Sequence, residues 1–368
     1  MNRPKALYVH IPFCSRICSY CDFPKYLVRT NLVEDYLSAL KEELSEIPAQ
    51  NLDTVYIGGG TPSVLSPEQL DSLTSFLCAR FRPSLEFSVE GNPESLTGEK
   101  VRILAKNGVT RVSLGAQSFD KNILRLLNRE EGTEDEVVRA VEALHQAGIQ
   151  EVNLDFIYGL KDEKKEEISR QIQVGSKLGL THFSFYSIQI EENTPLYYKK
   201  DVASGEDETA DMYAFIVSEL ERYGYERYEV SNFAKPGHES LHNLTYWRNQ
   251  GYYACGLGAT SYVDNVRATR TRNIRKYADP STRIAESRYE DSAEREFDYL
   301  MLGLRLKEGI SLEDFKQQFG KDFLESYRNE LANLKNDFET VNGRFKVRND
   351  KLYILDSLLV DLLHFHDA

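Results

Sequence analysis

Between residues 7 and 190 the chain alternates short runs rich in β-branched and aromatic residues with amphipathic stretches, and a chain patterned this way has few folds open to it. The strand-like runs fall at 7–11, 54–57, 85–89, 111–114, 151–157 and 182–190. Helical periodicity fills the gaps. Val33, Leu37, Leu40, Leu44 and Ile47 make one apolar stripe, and Val137, Val138, Val141 and Leu144 mark another helix that closes near Gly148. Ser66-Pro67-Glu68-Gln69 has the form of a capping box with proline at the first helical position. Such strand–helix repeats predict a parallel sheet with right-handed crossovers, either doubly wound or an open barrel. The polar residues choose between the two. Gly58 to Thr61, Glu90-Gly91-Asn92-Pro93, Gln117 and Asp155 stand at or near the carboxyl ends of strands, the face that carries the active site in β/α barrels. The reading is an α/β fold, a partial (β/α)6 barrel over residues 1–200.

After residue 190 the pattern changes. A helix over 207–222 precedes an aromatic and glycine-rich stretch, so residues 201–290 read as a connecting region. Residues 291–368 are helical again, with Ser311 placed to cap a helix and short strands expected at 345–347 and 352–354 around Asn349-Asp350. That order suggests a smaller C-terminal winged-helix-like domain. Its mixed charge does not mark it as DNA-binding.

Composition excludes several classes. The 368 residues are 41% hydrophobic with a mean hydropathy of −0.48, and no apolar run approaches the roughly 20 residues that span a bilayer. Met1-Asn2-Arg3-Pro4 leads into a strand without the apolar core of a signal peptide, so a cytoplasmic protein is expected. A net charge of −13 argues against sequence-independent nucleic-acid binding, which needs a basic stripe.

Of five cysteines, three fall in Cys14-Ser15-Arg16-Ile17-Cys18-Ser19-Tyr20-Cys21, a C-x3-C-x2-C loop directly after the first strand. Three thiolates so placed can hold three irons of a [4Fe–4S] cubane and leave the fourth open. An open iron can bind the amino and carboxylate groups of S-adenosylmethionine, whose reductive cleavage yields a 5′-deoxyadenosyl radical. Zinc is the competing reading, with His10 as the fourth ligand, although structural zinc more often uses two C-x2-C pairs. Cys78 sits in a helical pattern and reads as a small core residue. The glycine run Gly58-Gly59-Gly60 permits close approach of a ligand, and Glu90 supplies a carboxylate suited to an amine or a ribose diol. Gln117, Arg129 and Asp155 are further polar groups for the same mouth, although Arg129 can equally pair with Glu130 or Glu131 on the surface.

These residues are together specific enough to name a resemblance. Tyr8-Val9-His10-Ile11-Pro12-Phe13-Cys14, the three cysteines, the glycine run, Glu90 to Pro93, Gly115-Ala116-Gln117-Ser118, Asn128-Arg129 and Asp155 to Leu160 resemble the radical S-adenosylmethionine proteins related to oxygen-independent coproporphyrinogen III oxidase. The likeness runs along nearly the whole chain. It implies metal ligation by Cys14, Cys18 and Cys21, and S-adenosylmethionine contacts at Tyr8, Gly60, Thr61 and Glu90. In the oxidase a second S-adenosylmethionine binds, and its contacts fall here on Tyr20, Gln117, Arg129 and Asp155. The oxidase has a further cysteine two residues after the third, where this chain has Phe23, and an N-terminal extension before its first strand, where only seven residues precede Tyr8. Both departures are similar to the heme chaperone branch of the family. So is His242-Asn243-Leu244-Thr245-Tyr246-Trp247. An imidazole can ligate heme iron, Tyr246 and Trp247 offer flat apolar faces, and Gly256 and Gly258 allow close approach. The bland alternative for His242 is a hydrogen-bonded structural histidine; Cys255 is a second candidate ligand.

Two function classes follow. One is a heme carrier that passes heme to an acceptor protein, a respiratory enzyme being one such acceptor. The other is a radical enzyme acting on a porphyrinogen. A radical enzyme acting on tRNA is disfavoured by the acidic charge.

Overall fold

The computed structural model describes residues 3–363. Six parallel strands run in sequence order: β1 (Ala6–Ile11), β2 (Thr54–Gly59), β3 (Glu86–Gly91), β4 (Arg111–Gln117), β5 (Glu151–Tyr158) and β6 (His182–Ser187). Helices connect them on one face, among them Thr30–Glu46, Pro67–Phe81, Gly98–Lys106, Glu134–Gln146 and Lys165–Lys177. The capping box at Ser66 forms as the sequence indicates, each partner accepting from the other's backbone.

Residues 201–290 do more than connect. Their segment Asn232–Ala234 adds antiparallel to β6, and Tyr253–Cys255 adds parallel to β1, so they supply both edges of the sheet. Among the described residues this sheet has nine strands, with Glu226–Arg227 outermost beside Asn232–Ala234. A second, three-stranded antiparallel sheet (Thr260–Val263, Val266–Arg270, Ile284–Tyr289) was not foreshadowed by the weak periodicity of that stretch.

The two faces of the barrel strands divide by chemistry. Registered neighbours Tyr8, Tyr56, Ser88, Arg111 and Glu151 share one face, as do Asn153 and His182. Period-two alternation puts Val9, Ile57, Val89, Val112, Val152 and Phe183 on the other face, buried against the helices. The inner face is polar from end to end, and the groups buried there need partners because they are cut off from water. At the amino ends of the strands Arg111 Nε meets Glu86 Oε2 at 3.1 Å, and its Nη2 donates to the His238 carbonyl at 2.8 Å. Midway, Asn153 Nδ2 donates to Ser113 and Ser184 hydroxyls at 2.7 and 3.0 Å, while its Oδ1 meets His182 Nδ1 at 2.7 Å.

A separate apolar core, including Leu300, Phe315, Phe323, Phe345 and Leu359, organises the C-terminal module of helices and a three-stranded sheet. The sequence reading misplaced its hairpin. Residues 352–354 form a 3-10 turn, and the hairpin pairs Phe338–Val341 with Arg344–Val347. Asn342 and Gly343 make the turn, both at positive φ (51° and 75°), the backbone that an Asn-Gly hairpin turn requires.

Arg111 and Glu86 are 5% and 4% exposed, so removing one leaves the other charge buried. Arg111→Met is expected to cost roughly 3–5 kcal/mol of stability, read as a lower urea midpoint. An unchanged midpoint would show that the inner-face network does not hold the barrel together.

Candidate functional site

The cysteine loop leaves β1 through Phe13–Cys14, which pairs in parallel with Tyr26–Leu27. Backbone and side-chain bonds pin the loop from outside. Ser19 donates through N and Oγ to the carbonyls of Leu127 and Leu126 at 3.0 and 2.8 Å, Asn128 Nδ2 donates to the Ile17 carbonyl at 2.8 Å, and Leu196 N donates to the Ser19 carbonyl at 2.8 Å. Cys14, Cys18 and Cys21 are all half-buried and free of disulfides. Burial pushes the Cys14 thiol up to about 11, against the opposing hydrogen bond from Thr61, and burial also raises Cys21, against the charge of Lys25. Thiols in such a setting stay protonated until a metal takes the place of the proton.

The donors around them suit a metal-bound thiolate cluster. Thr61 Oγ1 lies 3.7 Å from Cys14 Sγ and Arg129 Nη1 lies 4.0 Å from Cys18 Sγ. Lys25 Nζ donates to the Cys21 carbonyl. Gly60 closes the cradle: a Cβ there would stand 3.0 Å from Cys14 Sγ and 2.8 Å from the Phe13 carbonyl oxygen. By donor chemistry three thiols on one loop suit a [4Fe–4S] group, while among the described residues no three His, Cys, Asp or Glu side chains are grouped to hold a single metal ion. These thiols do not fit the zinc alternative built with His10. Its Nδ1 meets the Tyr8 hydroxyl at 3.0 Å and its Nε2 meets the Pro24 carbonyl at 3.2 Å, so neither nitrogen is free for a metal. Burial holds the His10 ring neutral, with its pKa lowered to about 4.

Beside the cysteine loop, the carboxyl ends of the strands gather the other polar groups. Glu90 of β3 accepts from the Tyr56 hydroxyl at 2.7 Å and from Gly59 N at 3.0 Å. Burial raises its carboxyl to about 7; Tyr56 opposes that shift and Asp155 adds to it. Asp155 of β5 accepts from Ser113 Oγ at 2.7 Å and Asn153 Nδ2 at 2.8 Å, and burial raises it as well. Arg129 does not pair with Glu130 or Glu131, since Glu131 is taken by Arg16 at 2.8 Å. It is buried instead, donating to the Asn92 side chain at 2.9 Å and the Gly115 carbonyl at 2.6 Å, with its Nε unpartnered. Burial raises the Tyr20 hydroxyl well above its ordinary value, with Cys18 adding to the shift and Arg129 opposing it. Gln117 sits at a register shift in β4 with φ of 64°. Tyr8, Tyr20, Gly60, Thr61, Glu90, Gln117, Arg129 and Asp155 thus all lie at the end of the barrel that carries the cysteines.

His242 lies elsewhere. Its helix, Leu241–Trp247, packs at the amino ends of the strands, its first turn capped by Ser240 and by Glu86, which accepts from Leu241 N at 2.9 Å. The His242 ring is fully buried, with Nδ1 2.8 Å from Thr54 Oγ1 and Nε2 2.7 Å from the Tyr246 hydroxyl. Burial lowers its pKa to about 3, so the ring is neutral. As placed, neither nitrogen faces a ligand. Trp247 packs under the Arg305 guanidinium at 4.6 Å, and Arg305 pairs with buried Glu229 at 3.1 Å, so this aromatic face is covered by the chain itself. The close approach expected at Gly258 is also internal, since a Cβ there would stand 2.6 Å from Pro24. Cys255 is fully buried, and burial pushes its thiol well up.

Sequence reasoning gave no role to Tyr56, Asn92, Lys25 or Asn128. Tyr56, Asn92 and Asn128 act through partners distant in the chain, and Lys25 through the Cys21 carbonyl four residues before it. Tyr56 carried a signal as an inward-facing position two residues ahead of the glycine run, and Asn92 and Asn128 stood within motifs without a role of their own.

Anaerobic reconstitution with iron and sulfide is expected to give one [4Fe–4S] cluster per chain, lost on changing Cys14, Cys18 or Cys21 to Ala and kept in Cys78→Ala and Cys255→Ala. Stoichiometric zinc with no cluster absorption after reconstitution would contradict this assignment.

Comparison with known proteins agrees with that geometry. Residues 8–173 match the Radical SAM superfamily and residues 291–337 match the HemN C-terminal domain. The chain is 35% identical over 380 residues to Heme chaperone HemW of Lactococcus lactis subsp. lactis (strain IL1403), covering 99% of this chain and 100% of that one. It is 36% identical over 335 residues to Heme chaperone HemW of Bacillus subtilis (strain 168), covering 86% and 87%. Among solved structures, coproporphyrinogen III oxidase (HemN) from Escherichia coli superimposes with a TM-score of 0.85 at 21% identity, covering 98% of this chain and 90% of the other, a likeness of fold. A radical SAM barrel with its HemN-type C-terminal module, alike from end to end to proteins named HemW, places the chain in the HemW family of the radical SAM superfamily.

Proposed function

We propose that the chain binds heme and passes it to an acceptor protein in the cytoplasm, and that it carries a [4Fe–4S] cluster and S-adenosylmethionine at the carboxyl end of its barrel. The observation that carries the heme reading is the 35% identity across 99% of the chain to a protein named heme chaperone. Among the described residues no helix is long and apolar enough to cross a membrane. On this reading residues 1–200 carry the cluster, residues 201–290 carry the His242 motif, and residues 291–368 form the smaller module.

Cys14, Cys18 and Cys21 would hold the cluster, and Tyr8, Gly60, Thr61 and Glu90 would line the S-adenosylmethionine beside it. A cluster with one open iron supplies an electron to the sulfonium of S-adenosylmethionine when both are bound. The chain's own part is to place Glu90, half-buried and held by two donors, where a carboxylate can receive the ammonium or ribose hydroxyls. Tyr20, Gln117, Arg129 and Asp155 form the polar wall next to it.

For heme, ligation by His242 requires the ring to leave both Thr54 and Tyr246. Flat apolar surface is offered more cheaply near the cysteine loop. Phe23 is 61% exposed and Tyr198 73% exposed, in a segment tied to that loop through the Leu196–Ser19 bond. Heme titration is expected to give a saturable Soret band that weakens several-fold in Phe23→Ser with Tyr198→Ser, and whose position is unchanged in a stable His242→Ala protein. A Soret shift confined to His242→Ala would instead make His242 the ligand.

The second reading, a radical oxidoreductase acting on a porphyrinogen, draws support from the polar mouth around Glu90 and Asp155. Phe23, standing where the oxidase has a cysteine, argues against it. Supplied with reductant and S-adenosylmethionine, the reconstituted protein is expected to leave coproporphyrinogen III unchanged. Catalytic formation of protoporphyrinogen IX would return the chain to the oxidoreductases.

A further inference from the structure

His242 and Glu90 stand at opposite ends of the barrel interior, and one side chain joins them. Tyr56 points inward midway along β2. The His242 ring stacks on it at 5.1 Å and 26°, and Tyr8 stacks on it at 6.1 Å and 29°. Its hydroxyl reaches Glu90 Oε1 at 2.7 Å. Behind His242 the support continues: Thr54 and Tyr246 hold the two ring nitrogens, Tyr246 meets Tyr252 edge-on at 4.7 Å, and Glu86 accepts from the His242 backbone N at 3.3 Å. Glu86 and Glu90 are four residues apart on one strand and face the same interior. The carboxylate at the amino end therefore anchors the helix whose histidine backs the ring that holds the carboxylate at the carboxyl end.

We propose that His242 and Tyr56 are positioning residues for Glu90, so that the helix Leu241–Trp247 sets the geometry of the S-adenosylmethionine site from the far end of the barrel. This rests on the reading of Glu90 as a contact to that ligand. It gives His242 a function that uses its burial and its two engaged nitrogens, which a heme ligand does not. It also accounts for the flat ring at this position. A stacked imidazole fixes the plane of Tyr56, and the plane of Tyr56 fixes where its hydroxyl points. With that donor in place the Glu90 carboxylate is held in one orientation and favoured in its ionised form. The other titratable groups facing Glu90 are Asp155, which disfavours the ionised form, and the hydroxyls of Tyr8, Tyr186 and Tyr246, whose own ionisation Glu90 opposes.

The test is S-adenosylmethionine affinity against pH, measured by equilibrium dialysis on the cluster-reconstituted full chain, with cluster content and near-UV circular dichroism as controls for folding. In the parent protein affinity is expected to fall as pH drops through about 7, where Glu90 takes up its proton. Tyr56→Phe keeps the stacked ring and removes only the donor, so the midpoint should rise by about one pH unit. His242→Ala should raise the midpoint in the same direction, and His242→Phe, which restores a flat ring, should bring it back toward the parent value. Glu90→Gln checks the underlying reading separately. If Glu90→Gln loses binding while Tyr56→Phe and His242→Ala keep the parent midpoint, the positioning role is overturned and the site stands. If Glu90→Gln binds as the parent does, the assignment of Glu90 to the site fails first. Should His242→Ala not fold, Tyr56→Phe, which preserves the packing, decides alone.

Discussion

Glu86, Arg111, Asn153 and His182 face the barrel interior where water cannot serve them, and the network that pairs them is what the rest of the structure depends on. A parallel sheet covered on both faces normally presents apolar side chains on each. Here one face is apolar and packs on the helices, while the other carries Tyr8, Tyr56, Glu86, Glu90, Arg111, Asn153, Asp155 and His182. Buried polar groups are costly when unpaired, so each must be matched by another on the same face or by the elements that close the ends. Arg111 neutralises Glu86, Asn153 links three strands, and Glu229 from beyond the sheet bonds Asn232 and Arg305. Specific pairing of this kind fixes the strand register more tightly than an apolar filling, which tolerates sliding.

The network also explains why the two ends of the barrel differ in chemistry. At the carboxyl ends the strands run out into loops, and the half-buried carboxyls of Glu90 and Asp155 are raised above their ordinary range; Arg129 Nε has no partner there, and neither has Arg111 Nη1 at the amino ends. Groups held in that state are poised for a polar ligand. At the amino ends the helix Leu241–Trp247 and its cap on Glu86 close the interior, with both nitrogens of His242 engaged. On the proposed reading the closed end is support and the open end is the site.

Much of this was legible in the chain before any coordinates. Spacing placed the strands, and the polar residues following each strand pointed to the carboxyl ends as the candidate site. What escaped was set by partners far apart in sequence. The environment of His242 depends on Thr54, 188 positions away, and the Glu86 cap lies 156 positions from the backbone it serves. Periodicity cannot see such pairs. Arg129 was ambiguous for the same reason, since its neighbours in sequence are acids and its partners in space are Asn92 and Gly115. The misplaced C-terminal hairpin is a different error. Asn342-Gly343 is a strong local turn signal, and Asn349-Asp350 was read in its place.

The central claim is that the carboxyl end of this barrel holds a cluster with one iron left open to S-adenosylmethionine. The most direct measurement is the electron paramagnetic resonance spectrum of the reduced, reconstituted protein before and after adding S-adenosylmethionine. Ligation at the open iron predicts a changed set of g-values on addition, with the same number of spins. A cluster signal that is unaltered by saturating S-adenosylmethionine would contradict the account.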